Sequence, residues 1–306
     1  MATTELTLRA VASRNWRRYY ELTKPKVVAL ILFTAVVGML LSTPGPIPLD
    51  LFVFGLLGIG LAAASGAVIN HVVDQHIDAV MARTWNRPIP SGQMDTPHAL
   101  SFAVALGAVS MLLLYLLVNP LTALLTFISL MGYAVIYTMF LKRSTPQNIV
   151  WGGAAGAAPP LLGWTAVTGQ VETEGLLLLL IIFIWTPPHF WSLAIRRREE
   201  YAKAGVPMLP VTHGIAFTKL QILLYTVMLV AVTLLPFATH MSGLIYLAGA
   251  VSLGIGFIYH AVTLYRSEGD RHAMKTFGYS IFYLSLLFAF LLADHYARVL
   301  LRAFVL

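Results

Sequence analysis

The sequence predicts an all-α membrane protein, with nine transmembrane helices around a central cavity that opens to cytoplasmic-side polar loops. Three observations predict it. Of the 306 residues, 58% are hydrophobic and only 11% charged, against about 25% charged in soluble domains. Apolar runs near the ~20 residues that cross a ~30 Å hydrocarbon core recur over residues 26–42, 50–69, 98–118, 121–141, 148–168, 176–195, 219–239, 243–264 and 276–293. Threading the chain through these nine spans leaves only Arg298 and Arg302, of 20 Lys and Arg, on the far side, and such a bias marks the cytoplasmic loops.

The mean hydropathy is +0.78. The length suits one domain, read as residues 1–25, a cytoplasmic N-terminal segment, followed by a single nine-helix unit over 26–306. No cysteine is present, which excludes disulfides, thiolate-bound metal and a cysteine nucleophile; any metal must sit on oxygen or imidazole. The net charge of +7 is scattered between apolar segments, so it speaks for orientation in a lipid bilayer and against a nucleic-acid partner. Arg9, Arg14, Arg17 and Arg18 precede the first span without an apolar stretch ending in a cleavage site, so no cleaved secretory signal is expected. The expected location is a bacterial cytoplasmic (inner) membrane with the N-terminus inside; the mitochondrial inner membrane is the alternative.

The second span is rich in small residues, Gly55, Gly58, Gly60, Ala62, Ala63, Ala64 and Gly66, which let helices approach closely. It runs into NHVVDQHIDAVMARTWNRPIPSG, Asn70 to Gly92. Asn70, Asp74 and Asp78 share a face if the helix continues, about 6 Å apart per step. Acids stacked this way repel one another, and a cation relieves the repulsion. Hard carboxylate and amide oxygens suit Mg²⁺, which keeps positions open for substrate phosphate. Arg83 and Arg87 follow, and guanidinium groups match phosphate oxygens. Acid, metal and arginine together describe a diphosphate site; the plain alternative is a solvated loop cap.

The third and fourth spans join at the Asn119-Pro120 turn, and the fifth carries Gly152, Gly153 and Gly156, read first as a packing feature. The sixth contains WTPPHFW. Pro187 and Pro188 should kink it, and His189 could ligate a porphyrin iron, guide a proton or hydrogen-bond in the core. The second polar loop, RRREEYAKAGVPMLP from Arg196 to Pro210, offers Glu199 and Glu200 for a second metal and its Arg or Lys side chains for anionic groups. Glu172 and Glu174 fall in an outer loop, and His240, His260 and His295 near span ends read as boundary residues.

With these motifs in view, the chain resembles the intramembrane UbiA-type aromatic prenyltransferases and, within them, the protohaem IX farnesyltransferases, or haem O synthases. The resemblance covers nearly the whole chain. It rests on YYELTKPKVVALILFT (Tyr19 to Thr34), the Asn70 to Gly92 motif, YTMFLKRSTPQNIVWGGAAGAAPPLLGW (Tyr137 to Trp164) and PHFWSLAIRRREEYAKAGVPMLPV (Pro188 to Val211). The last two blocks are the specific ones, since quinone-pathway members usually keep a second Asp-rich motif there. At position 76, where many of these farnesyltransferases carry an acid, this sequence has His76.

The resemblance implies transfer of the farnesyl group of farnesyl diphosphate to a vinyl group of haem B, a substrate, with Mg²⁺ as cofactor. It implies metal ligands Asn70, Asp74 and Asp78, with Glu199 and Glu200 for a second ion, and diphosphate contacts from Arg83, Arg87 and Lys142. Tyr133, Tyr137, Trp164, Trp185, His189, Trp191 and Arg197 become candidates for the haem or prenyl pocket, since aromatic faces steady an allylic cation. A haem A synthase or oxidase assembly factors are the implied protein partners. The rivals are a prenyltransferase for another acceptor, such as a quinone precursor or chlorophyllide, and a secondary transporter.

Overall fold

A computed structural model describes residues 16–305, with side chains through residue 301. Arg9, Arg14 and the side chain of Arg302 lie outside the described residues. Within them every element is helical: α1 (Trp16–Leu22), α2 (Pro25–Leu41), α3 (Leu49–Val73), α4 (Gln75–Val80), α5 (Thr96–Leu117) and α6 (Pro120–Met131). A π-helical stretch, Gly132–Leu141, leads from α6 into α7 (Lys142–Ser144). There follow α8 (Asn148–Ala157), α9 (Pro159–Thr168), α10 (Thr173–Arg196), α11 (Arg198–Lys203), α12 (Leu209–Thr212), α13 (Gly214–Thr233), α14 (Leu235–Ala238), α15 (Leu244–Arg266) and α16 (Ala273–Val305).

Seven helical stretches are individually long and apolar enough to cross a membrane, and an eighth is added if α1 and α2, bent by 53°, count as one span. The expected nine are not all met in this form. Residues 148–168 are helical, but as two helices of 10 residues each, about 15 Å apiece at 1.5 Å per residue and too short singly for a bilayer core. The bend between α1 and α2 has a local cause. Lys24 precedes Pro25, whose ring disfavours the right-handed helical region for its neighbour, and Lys24 adopts left-handed backbone, φ 51° and ψ 59°.

The sixth expected span is one helix. Helix α10 runs unbroken from Thr173 to Arg196 with Pro187 and Pro188 inside it, so the prolines do not interrupt it. Neighbouring hydroxyls supply local bonds: Thr186 donates to the Ile182 carbonyl at 2.8 Å and Ser192 to the Pro188 carbonyl at 2.7 Å. Prolines are tolerated in membrane helices where such groups and packed neighbours surround them.

Large apolar side chains such as Leu112, Leu116, Ile128 and Ile255 face outward, as lipid-facing positions do. Because lipid is as apolar as leucine, helix pairing here must come from close contact and hydrogen bonds. A Cβ on Gly38 would overlap the Pro160 carbonyl, and one on Gly163 the Ala35 carbonyl, so α2 and α9 meet nearly backbone to backbone. Between α3 and α5, Ser65 donates to the Ala103 carbonyl at 2.7 Å and Ser110 to the Gly58 carbonyl at 2.6 Å. Such bonds contribute about 0.6 kcal/mol each, so the extended glycine-lined contact carries more of the association.

Hydrogen bonds define the two ends of the bundle. At one, Lys24 reaches Asn70, Arg143 donates to the Val73 carbonyl, Asn148 to the Lys142 carbonyl, Arg196 to Asp270 and Lys219 to the Ser267 carbonyl. At the other, Asn119 donates to the Thr165 carbonyl, Trp164 to Glu172, His295 pairs with the Thr43 carbonyl, and Arg298 binds Asp294 and the Met241 carbonyl. Both polar loops of the sequence lie at the first end.

Candidate active site

Helix α3 ends at Val73, and Asp74, at φ −87° and ψ 4°, joins it to α4. The backbone nonetheless keeps helical spacing: Asp74 N donates to the Asn70 carbonyl at 3.0 Å and Asp78 N to the Asp74 carbonyl at 2.8 Å. The three side chains therefore stay in sequence along one edge, and all are buried, at 5%, 1% and 4% exposure for Asn70, Asp74 and Asp78.

Each acid is met by a base, Asp74 by one from a distant segment and Asp78 by one from its own loop. The Lys24 ammonium donates to Asn70 Oδ1 at 2.5 Å. Asn70 Nδ2 donates to Asp74 Oδ2 at 2.7 Å, and the Lys142 ammonium lies on the same oxygen. Arg87 pairs with Asp78 at 2.6 Å, while the Thr84 hydroxyl donates to the Asp78 carbonyl at 3.0 Å and holds that loop in place. The π-helical stretch brings the Thr138 hydroxyl to 3.4 Å from Asn70 Nδ2 and lets it donate to the Tyr133 carbonyl five residues back, at 2.7 Å. Two carboxylates thus stand against Lys24, Lys142 and Arg87, an excess of positive charge that favours a polyanion.

The second polar loop adds to the excess. Burial, and then the nearby Arg87 and Arg197 guanidinium groups, pull the Arg83 guanidinium below its ordinary range. Arg83 and Arg197, from different loops, both act on Tyr201, whose phenol burial pushes above its usual value. Glu200 lies 3.9 Å from Arg197, and its Oε2 is buried without a hydrogen-bond partner; Glu199 is exposed. Among the described residues no three His, Asp or Glu side chains form a ready metal cluster.

Beside the acids lies a cavity of about 640 Å³, predominantly apolar, lined by Lys24, Tyr133, Tyr137, Trp185, His189 and Phe277 among others. This lies within the usual range for small-molecule pockets. Lys24 belongs both to the polar cluster and to the cavity wall. Of the expected aromatic lining, Tyr133, Tyr137, Trp185 and His189 are present. Trp164 and Trp191 are not: Trp164 is buried and bonded to Glu172 at 2.7 Å, and Trp191 is buried edge-on to Tyr225. Their size suits the core equally well, and sequence cannot tell which face of an all-apolar helix turns inward. Gly152, Gly153 and Gly156 have a double role. Gly152 abuts the Tyr137 ring, yet all three also line the cavity.

Residues 31–288 match the UbiA prenyltransferase family. The chain belongs to that family. It is 69% identical to the protohaem IX farnesyltransferase of Thioalkalivibrio sulfidiphilus, over 98% of this chain and 100% of that one. It is 60% identical to the protein of the same name from Nitrosococcus oceani, over 96% and 98%. Among solved structures, a digeranylgeranylglyceryl phosphate synthase superposes with a TM-score of 0.80 at 21% identity, over 92% of this chain and 99% of that chain. A UbiA homologue from Archaeoglobus fulgidus bound to DMAPP and Mg²⁺ gives 0.62 at 17% identity, over 90% and 99%. The all-helical UbiA fold and a membrane prenyltransferase are therefore established for this chain.

Three residues beside the polar cluster were not singled out from the sequence. Lys24 was legible only as one basic residue before a span, although Lys-Pro ahead of an apolar run marks a bend. Thr138 carried no signal, because the widened helical turn that presents it is not encoded in residue type. His71, buried with both ring nitrogens unpartnered, was masked by its acidic neighbours.

Proposed function

We propose that this chain joins the farnesyl group of farnesyl diphosphate to a vinyl group of haem B, with addition of water, giving haem O and diphosphate. The observation that carries the reading is Lys24, which bonds the buried Asn70 and also lines the apolar cavity. A charged leaving group and an apolar chain thereby find adjacent places. Relatives named for protohaem IX farnesyl transfer, at 57–69% identity over nearly the full chain, favour haem B over a quinone precursor as acceptor. The location of the acids at one end of the bundle speaks against a mid-membrane transport site.

Asn70, Asp74 and Asp78 are proposed to hold Mg²⁺, with Glu200 favoured over the exposed Glu199 toward a second ion. The donors fit: Asp74 Oδ1 and Glu200 Oε2 are buried oxygens without a hydrogen-bond partner, and hard oxygens suit this ion. Bound Mg²⁺ supplies positive charge against the charge that develops on departing diphosphate. The side chains do the rest. Lys24, Lys142, Arg83 and Arg87 bind the phosphate oxygens. As the carbon–oxygen bond breaks, Tyr133 and Tyr137 offer ring faces to the allylic cation. The vinyl terminal carbon forms the new carbon–carbon bond, water adds to the carbon next to the porphyrin, and its proton leaves to solvent. Arg197 is proposed to meet a haem propionate.

We further propose nine crossings in one domain over residues 26–306, with α8 and α9 as a single fifth crossing. Support comes from Asn148, beside Lys142 at one end, and Thr165, beside Asn119 at the other. The basic end faces the cytoplasm of a bacterium, and a haem A synthase or an oxidase assembly factor receives the product. The test is incubation of purified protein with haem B, farnesyl diphosphate and Mg²⁺. A haem adduct carrying farnesyl plus water is expected, and no adduct from folded protein overturns the reading.

A further inference from the structure

His189 lines the cavity with its ring held flat between two others. Trp185 stacks on one side at 4.1 Å and 17°, and Phe277 at 4.6 Å and 25°. Stacked in this way, the imidazole can meet a ligand only through its edge. One edge atom is taken, since Nδ1 lies 2.7 Å from the Ser280 hydroxyl. Ser280 is anchored in turn: its hydroxyl donates to the Phe277 carbonyl at 2.6 Å, and its own carbonyl accepts from the Trp185 indole at 2.8 Å.

One tautomer satisfies both serine contacts at once. A serine hydroxyl has one proton, and here it goes to Phe277. Toward His189 the oxygen therefore accepts, so Nδ1 carries the ring proton and Nε2 keeps its lone pair. Metal-ligating histidines are oriented by this arrangement, in which the second nitrogen is tied to a fixed acceptor. Among the described residues His189 is the one imidazole on the cavity wall, and the chain has no cysteine. The proposed substrate carries its own iron into this cavity.

We propose that His189 Nε2 ligates the iron of the haem substrate, with Ser280 as the positioning residue that holds the ring. This rests on the reading of haem B as acceptor. One axial bond, with stacked rings behind it, fixes the porphyrin plane in the cavity and with it the vinyl group offered to the farnesyl chain. A ring serving only as core packing would keep the same stacking but would not distinguish haem from a metal-free porphyrin.

The test uses the full chain in nanodiscs, titrated with ferric haem B and separately with metal-free protoporphyrin IX. The wild type should show a histidine-ligated Soret and EPR signature. His189→Gly should lose it and regain it with added imidazole, while protoporphyrin IX binding changes less than about twofold. Ser280→Ala should weaken haem binding by about tenfold, the usual effect of removing a ligand's orienting partner. An unchanged haem signature in His189→Gly, or equal loss of both porphyrins without imidazole rescue, overturns the proposal. Should His189→Gly not fold, pulsed EPR of the wild type grown with nitrogen-15 histidine reads the iron–nitrogen coupling directly, and its absence is equally decisive. Histidine-dependent binding without any farnesyl adduct would leave the ligation standing and remove the reaction; an adduct formed by the wild type without histidine ligation would do the reverse.

Discussion

The Lys142 ammonium rests on Oδ2 of Asp74, 68 residues away in the chain, while Oδ1 of the same carboxylate is buried without a partner. One oxygen is thus neutralised by the protein and the other is left without a hydrogen-bond partner. A buried carboxylate half-satisfied in this way is unfavourable unless something completes it.

Asp74→Asn and Asp78→Asn, which keep a carbonyl oxygen toward Lys142 and Arg87, should each lower kcat by about 10²–10³-fold beyond any loss of stability, the usual effect when one stabiliser of developing charge is removed. Single-turnover farnesylation with haem B measures it. Wild-type rates in both variants would take these residues out of the metal-binding role.

Lys142→Met should lower turnover, as a lost phosphate contact, and stability as well. It leaves Asp74 buried beside Asn70 without its ammonium, and breaking a buried pair from one side costs about 3–5 kcal/mol. Thermal unfolding in detergent reads this, and added Mg²⁺ should recover part of the loss by binding the freed carboxylate. No stabilisation by Mg²⁺ would argue that Asp74 does not meet the ion.

Chelation should abolish turnover reversibly. Mg²⁺ and Mn²⁺ should both restore it, because carboxylate and amide oxygens suit these ions. Full activity in excess chelator would contradict a role for a divalent cation.

Gly163→Ala and Gly156→Ala should separate packing from the cavity. A Cβ at 163 would overlap the Ala35 carbonyl, whereas one at 156 meets nothing within 4 Å and points into cavity-lining space. The first should lower stability by about 1–3 kcal/mol and the second should leave it unchanged. Gly156→Leu should then lower kcat/KM without lowering the melting temperature. Equal stability losses at 156 and 163 would refute this division.

Much of the molecule was legible in residue order, because a membrane helix declares itself locally. Each apolar run between Pro25 and Val305 forms helix close to where hydropathy placed it. Asn70, Asp74 and Asp78 could be seen to share an edge, since i, i+4 spacing is a property of the backbone alone. The motif survives even the helix end at Val73, because the same backbone bonds continue through Asp74. Residues 148–168 were harder: helical content followed from composition, but their division falls at Pro159 and Pro160, which lack the N–H that would continue the helix.

By itself, then, the sequence determined a helical membrane chain with its charges at the helix ends and an acid-arginine motif after the second long apolar helix. Tertiary structure alone decided that Lys24, Lys142 and Arg87 sit on that motif, that Tyr133, Tyr137, Trp185 and His189 face the cavity, and that Trp164 and Trp191 do not. The reason is the solvent. In water a helix carries a polar stripe that reveals its outer face. In lipid both faces are apolar, so only the packing of one helix on the next selects which side chains turn inward.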